Sequence, residues 1–311
     1  MGTSVNFQYV NTPLKNYFCG KFSSVKLKNI PPIPAVILSI ISVQGGAAIA
    51  KGIFPIMGAA GTVSLRIVLS AMLLLAVYRP SFKTITSIQW KWALIYGLAL
   101  GIMNTSFYLS LSRIPLGLAV TLEFLGPLVL AISTSRKTID FLWAIMAAAG
   151  IALIAPWHGN SDIDLLGAGL ALLAGAFWAA YIILGAKVTK LMDSGQAVSI
   201  GLLAASCVAL PAALIEGNLG NISPKVFLLG MAIALLSSAI PYTLEMNALK
   251  HIPAKTFSIL MSLEPAAAAL CGLLFLHEHL SILEWTTIAL VVTASTGSTL
   301  TKSKPTSNID I

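Results

Sequence analysis

Charge is what this sequence has least of. Only 10% of its 311 residues are Asp, Glu, Lys or Arg, and 57% are hydrophobic, whereas soluble domains carry roughly 25% charge. With a mean hydropathy of +0.88, the chain has too little polar surface for a water-soluble body, which excludes a soluble domain and predicts a membrane protein. Acidic residues are scarcer than basic ones, 11 against 19, giving a net charge of +8. That excess does not point to nucleic acid, because Lys and Arg lie almost entirely in short segments between apolar runs. Cysteine is scarce too: Cys19, Cys207 and Cys271 share no spacing for a metal site or a disulfide framework. Cys207 and Cys271 fall within apolar runs, where a thiol behaves as a small hydrophobe. Catalytic motifs are missing as well. The HEH triplet at 277–279 has Ser281 where a zinc-protease motif needs its second histidine, and it falls between apolar segments. No phosphate-binding glycine motif occurs. No metal, cofactor or enzyme chemistry is expected, and any vectorial work must draw on an ion gradient.

What is present is apolar length. A spanning helix needs about 20 mainly apolar residues, and on that criterion ten spans are predicted, at roughly 33–54, 59–78, 92–110, 117–134, 140–157, 166–187, 195–215, 226–248, 255–276 and 282–300. The loops between them leave no room for a soluble domain. Residues 1–32 are polar, with Lys15, Lys21, Lys26 and Lys28 among scattered aromatics. They read as a cytoplasmic tail, since the apolar run that follows is too long for a signal peptide and has no clear small-residue cleavage site. Residues 302–311 form a second tail. Placing the N-terminus inside leaves only Arg113 and Lys225 on the outer side, against fifteen Lys and Arg residues on the inner side. One missed or extra span would reverse every later loop, so both termini are expected in the cytoplasm.

One stretch occurs twice. IPLGLAVTLEFLGP at 114–127 matches IPAKTFSILMSLEP at 252–265, and a single offset of 138 residues takes Pro115 to Pro253 and Pro127 to Pro265. The same offset pairs Ile95 with Ile233, Leu98 with Leu236, Thr105 with Thr243 and Leu111 with Leu249. An internal repeat of this kind, hydrophobic, proline-broken and bearing a carboxylate, marks a two-fold transporter with interrupted helices around a central site. Five spans per half is an odd number, so residues 33–157 and 166–301 enter the membrane in opposite senses. The fold expected is an all-α membrane protein of ten transmembrane helices arranged as two inverted five-helix repeats.

Within the spans stand five charged residues, Lys51, Arg66, Glu123, Glu245 and Glu264. Each costs about 2.5–3.5 kcal/mol on insertion scales, so each is expected to face protein or a wet cavity. Lys51, Arg66 and Glu123 fall in the outer half and can form an ion cluster, read either as a structural staple or as a cation left over for a substrate carboxylate. Glu264 sits near the bilayer centre beside Pro265. A proline leaves the carbonyl four residues earlier without its donor: Glu123 for Pro127, Ser237 for Pro241, Met261 for Pro265. Freed carbonyls beside a carboxylate suit an ammonium group, against the plainer reading of these prolines as kinks. Helical spacing aligns Gln44, Ala48 and Lys51; Asn104 and Tyr108; Trp178 and Tyr181; and Ser238, Tyr242 and Glu245. Glu245, near the inner end, can instead pair with Lys250 or Lys255. The stripe Lys255, Ser258, Ser262 lies opposite Glu264 on a regular helix, so both faces line one cavity only if the Pro265 region is unwound.

Several longer stretches resemble the drug/metabolite transporter superfamily, EamA type, and within it the bacterial inner-membrane threonine and homoserine exporters. They are QGGAAIAK at 44–51, LRIVLS at 65–70, 114–128, IPYTLEMNALKHIPAKTFSILMSLEPA at 240–266, and GSTLT at 297–301. The resemblance covers nearly all of 33–301. It implies a central cavity between helices 1–4 and 6–9, with helices 5 and 10 as an outer scaffold, and proton-exchange export of small neutral amino acids from the inner membrane. The substrate would set its ammonium against Glu264 or Glu123 and its carboxylate against Arg66, Lys51 or Asn104. Alternatives are a broader metabolite or drug exporter of the same fold, and a membrane enzyme or scaffold. Against these stand the aromatic residues Tyr108, Trp178, Tyr181 and Tyr242, which narrow a cavity, the lack of a nucleophile–base pattern, and the intramembrane acids. Partners expected are the amino acid, protons and the lipid bilayer, with no nucleic acid; no motif speaks to oligomeric state.

Overall fold

A computed structural model describes residues 30–133, 139–154, 164–249, 251–252 and 260–301. The elements below belong to the compact unit Pro31–Ile311. Among the described residues the chain is helical throughout, and helix occupies part of each of the ten apolar segments. In chain order the helices are α1 (Pro32–Lys51), α2 (Phe54–Tyr78), α3 (Ser87–Leu111), α4 (Leu116–Glu123), α5 (Leu125–Ser133), α6 (Ile139–Ile154), α7 (Leu165–Leu191), α8 (Ser194–Glu216), α9 (Pro224–Ala234), α10 (Ile240–Leu249), α11 (Glu264–Leu276) and α12 (Ile282–Thr301). A π-helical turn, Leu235–Ala239, joins α9 to α10. Among the described residues six helical runs are long and apolar enough to cross a membrane, and Leu116–Leu130, Phe141–Gly150, Glu264–Leu276 and Ile282–Gly297 are shorter apolar stretches. Large apolar side chains such as Phe141, Val129, Leu228, Leu274 and Ile282 point outward, a surface suited to lipid and costly in water.

Local chemistry sets the helix ends. Thr86 and Gln89 form a capping box at the start of α3. Asp164 caps α7 by accepting from the Gly167 N–H at 2.9 Å. That bond, together with the Arg113 guanidinium at 2.8 Å, holds the Asp164 carboxyl below its ordinary range. Ser223 caps α9, whose first residue is Pro224. Small residues then bring helices together. Gly97 and Gly101 of α3 lie against Gly201 and Ala205 of α8, and a Cβ at Gly97 would stand 2.4 Å from the Gly201 carbonyl. Gly175 of α7 meets the backbone of Glu123, whose carbonyl Pro127 leaves without a helical donor.

One expectation changes in detail. The second apolar segment turns helical at Phe54 rather than 59, because Pro55 suits a helix start and Gly58, at φ 68° and ψ 172°, breaks the helix just inside it. The Glu216 carboxylate fills the break, accepting from the Gly61 N–H at 2.9 Å. The fourth segment is interrupted at Phe124, and in the ninth the chain turns at Ser262–Leu263 before α11 begins. Helices α6 and α12 pack on each other, with Thr287 donating to the Gly150 carbonyl at 2.8 Å and Trp143 against Gly297.

Candidate functional site

A cavity opens where α1, α2, α3, α4, α7, the π turn, α10 and α11 converge. Its described walls include Gln44, Arg66, Asn104, Tyr108, Glu123, Trp178, Tyr181, Tyr242, Glu245 and Glu264. Ten of the eleven predicted binding or coupling residues therefore share one space, although they come from seven different elements. Helices α6 and α12 contribute none of the described lining, nor does α8, which the resemblance would have placed on the cavity. α8 stands behind α2 and α3, seated there by the small residues that meet Gly97 and Gly101.

Arg66 is the one cation among the described walls. It is 4% exposed, and among the described residues no carboxylate lies within ion-pair distance of it; the ion pairs found are Lys51–Glu278 and Arg113–Asp164. Three contacts hold it. Nη1 donates to the Ser237 carbonyl at 3.1 Å, Nη2 donates to Asn104 Oδ1, and the guanidinium lies 4.7 Å from the centre of the Tyr108 ring. Its Nε and the Oε1 of Gln44 are buried with no partner among the described residues. Asn104 is fixed in turn, its amide donating to the Leu100 carbonyl at 2.8 Å with the Tyr242 hydroxyl at 3.4 Å.

Three carboxyl groups face the same space. Glu245 accepts from the Ser39 hydroxyl. It stands on the wall with Tyr242, as its helical stripe suggests; Lys250 and Lys255, its alternative partners, lie outside the described residues. Glu123 and Glu264 are 8% and 6% exposed, and their carboxyl groups sit in no hydrogen bond or ion pair among the described residues. Aromatic rings complete the wall. Trp178 meets Phe124 edge-on at 5.5 Å, and Tyr181 lies between Tyr96 and Tyr242 at 5.2 and 6.1 Å.

Lys51 is the exception. It does not join Arg66 and Glu123 but pairs with Glu278 at 2.5 Å and donates to the Ile114 carbonyl at 3.1 Å. Gln44 and Lys51 do share a helix face, but seven residues of helix separate them by about 10 Å, which carries Lys51 past the end of the cavity. Sequence reasoning missed Glu278, which had registered only as part of an incomplete zinc motif. The expected stripe Ser238–Tyr242–Glu245 is also displaced: the π turn adds a residue to the helical repeat, and Ser237 rather than Ser238 reaches the wall. Ser262 shares a 2.9 Å hydrogen bond with Thr296 of α12 and is not among the lining residues, so the chain turn beside Pro265 leaves Glu264 on the cavity and Ser262 off it. Lys255 and Ser258 lie outside the described residues.

Of the three predicted helix-breaking prolines, Pro265 opens α11 directly after the turn at Ser262–Leu263. Pro127 follows the interruption at Phe124. Pro241 follows the π turn, and the carbonyl it frees, that of Ser237, is the one Arg66 occupies.

The sequence pattern of the EamA-like transporter family matches residues 165–300. The threonine/homoserine exporter RhtA of Escherichia coli K12 is 42% identical over 275 residues, which is 88% of this chain and 92% of that protein. RhtA of Salmonella typhimurium LT2 is 41% identical over 281 residues, 90% and 95% of the two chains. An uncharacterized transporter of Bacillus subtilis, YwfM, is 30% identical over 149 residues, 48% of this chain and 50% of its own. One crystal structure, of a protein 15% identical, superposes with a TM-score of 0.59 over 86% of this chain and 97% of that one, a likeness of fold alone. With identity at this level along nearly the whole length of the exporters, this multi-pass membrane protein belongs to the EamA-like transporter family.

Proposed function

We propose that the protein exports small zwitterionic amino acids of the threonine and homoserine type across the bacterial inner membrane, by alternating access coupled to proton entry. The observation that carries this reading is Arg66 in the same buried cavity as Glu123 and Glu264, with none of the three side chains in an ion pair among the described residues. Unpaired charges and acids are costly inside a membrane, and a zwitterion supplies what both sides need: a carboxylate for the Arg66 Nε and an ammonium for Glu264 or Glu123. An acid that releases its proton as the ammonium arrives, and regains one after the ammonium leaves, exchanges substrate for proton. Gln44, with a free buried oxygen, is placed to accept from a substrate hydroxyl. RhtA, similar along nearly all of this chain, carries the matching substrate in its name.

The architecture supporting the cycle is two inverted five-helix repeats, 33–157 and 166–301, with both termini cytoplasmic. The 138-residue offset that links the proline motifs also takes the interruption at Phe124 to the turn at Ser262, so corresponding helices break at corresponding depth. The test uses purified protein in liposomes loaded with radiolabelled threonine. Movement should require a pH gradient, be competed by homoserine, and lose its dependence on the gradient in Glu264→Gln or Glu123→Gln. Gradient-driven transport that persists in the double Gln variant removes both acids from coupling.

A further inference from the structure

We infer that Pro241 is a positioning residue for Arg66: the backbone N–H it withholds would claim one of two carbonyls at the π turn, and without it both are left to side chains, one of them aiming the arginine into the cavity. Within the turn the Ile240 N–H reaches back five residues to the Leu235 carbonyl. Residue 241 would next serve Leu236 in π register or Ser237 in α register, and as proline it serves neither. Buried carbonyls need partners, and here both are taken from the other half of the chain. Ser42 of α1 donates to the Leu236 carbonyl at 2.6 Å, and Arg66 of α2 donates to the Ser237 carbonyl at 3.1 Å. The Ala234 carbonyl, at the end of α9, accepts from Ser70 at 3.1 Å. Gly46 lets the turn come close, since a Cβ there would stand 2.2 Å from Ser237 Oγ.

The consequence is a guanidinium with Nη1 on Ser237, Nη2 on Asn104 and its face on Tyr108, while Nε, which has no partner among the described residues, is open to a ligand. An alanine at 241 restores an N–H that competes for the Ser237 or Leu236 carbonyl, and Arg66 or Ser42 then loses its acceptor. A plain kink predicts no such selectivity for the substrate's carboxylate.

This inference rests on the proposed export of amino acids with Arg66 on the substrate carboxylate, and the experiment separates the two. Transport of radiolabelled threonine in liposomes is measured for wild type, Pro241→Ala, Asn104→Ala and the control Pro211→Ala, which removes a proline inside α8 away from the cavity. Threoninol, which keeps the ammonium and side chain but lacks the carboxylate, is the competitor. Wild type should be competed far more weakly by threoninol than by unlabelled threonine. Pro241→Ala should raise the threonine KM about tenfold, the loss of a hydrogen bond to a charged group, while the inhibition constant of threoninol and the maximal rate change less than twofold. Pro211→Ala should leave all three unchanged. If Pro241→Ala does not fold, Asn104→Ala, which removes the second anchor and keeps the turn, must show the same selective loss. A folded Pro241→Ala, or failing that a folded Asn104→Ala, with wild-type threonine KM overturns the inference while leaving the transport reading in place. Wild type that moves no threonine, or treats threonine and threoninol alike, overturns the reading of the site and the inference with it.

Discussion

Arg66 shows how a residue can be both identified from sequence and misjudged. A cation in an apolar run had to face protein or a cavity, and it does. What sequence could not supply was its company: Lys51, two helical turns along the same face as Gln44, lies beyond the cavity. Glu123 and Glu264 were placed by the cost of charge in lipid, whereas Ser39, the partner of Glu245, carries no such cost and left no trace. Lysine should not replace Arg66, because an ammonium has no planar fork with which to hold Ser237 and Asn104 while presenting a further N–H. Arg66→Lys is expected to raise the threonine KM at least tenfold with an unfolding midpoint close to wild type; a wild-type KM would remove the arginine from substrate binding. Gly58 is the second position where one atom decides. Its φ of 68° and ψ of 172° belong to backbone that only glycine adopts readily, at a cost of about 1–3 kcal/mol for other residues. A Cβ there would also stand 2.2 Å from the Glu216 carboxyl carbon. Gly58→Ala should therefore lower the unfolding midpoint in detergent, and adding Glu216→Ala should recover only the steric part. Full recovery in the double variant would show that backbone conformation contributes nothing.

Among the elements, the apolar segments were legible because each is a long run with polar punctuation, and the interruptions because proline marks them. The π turn was not: Leu235–Ala239 contains no residue that distinguishes π from α, and only the arrangement of donors from α1 and α2 around it accounts for the extra residue. Nor was the link between α1, α4 and the segment after α11, made by residues 227 positions apart. At its centre is Glu278, whose Oε1 pairs with Lys51 while Oε2 accepts from the Leu116 N–H at 2.9 Å, at the start of α4. His277, at φ 54°, and the bond from the Glu278 N–H to the Gly272 carbonyl turn the chain back so that this side chain points inward. The two partners are therefore unequal. Lys51→Ala leaves Glu278 still capping α4, whereas Glu278→Ala also strips the Leu116 N–H of its acceptor. Thermal unfolding should find Glu278→Ala the more destabilising, by about 1 kcal/mol, the worth of an additional hydrogen bond. The double variant should resemble Glu278→Ala, since removing the acid already abolishes the ion pair. Equal effects of the two single variants would mean that the cap contributes nothing and the ion pair alone matters.

At the scale of the whole molecule, the cavity draws on both halves of the chain, with α1 to α4 on one side and α7, the π turn, α10 and α11 on the other. Single helices do not reveal this assembly, but the repeat does, because the offset of 138 residues relates Phe124 to Ser262 and so relates the interruptions on the two sides of the cavity. A site shared between halves suits a cycle in which the halves rock about a bound substrate, and the proposed exchange has an electrical consequence that tests its stoichiometry. A zwitterion carries no net charge, so one amino acid leaving for one proton entering moves a single positive charge inward. A pH difference of one unit is then worth about 1.4 kcal/mol, which supports a tenfold threonine gradient. A membrane potential of about 60 mV, negative inside, is worth the same, at roughly 2.3 kcal/mol per charge per 100 mV. In liposomes, a potassium diffusion potential of that size imposed without any pH difference should build a tenfold gradient by itself, and the two forces together about a hundredfold one. If the potential does nothing while the pH gradient still drives accumulation, the movement is electroneutral and a second ion must cross with each substrate. If neither force builds a gradient although labelled threonine equilibrates, the acids in the cavity bind substrate without coupling it to protons.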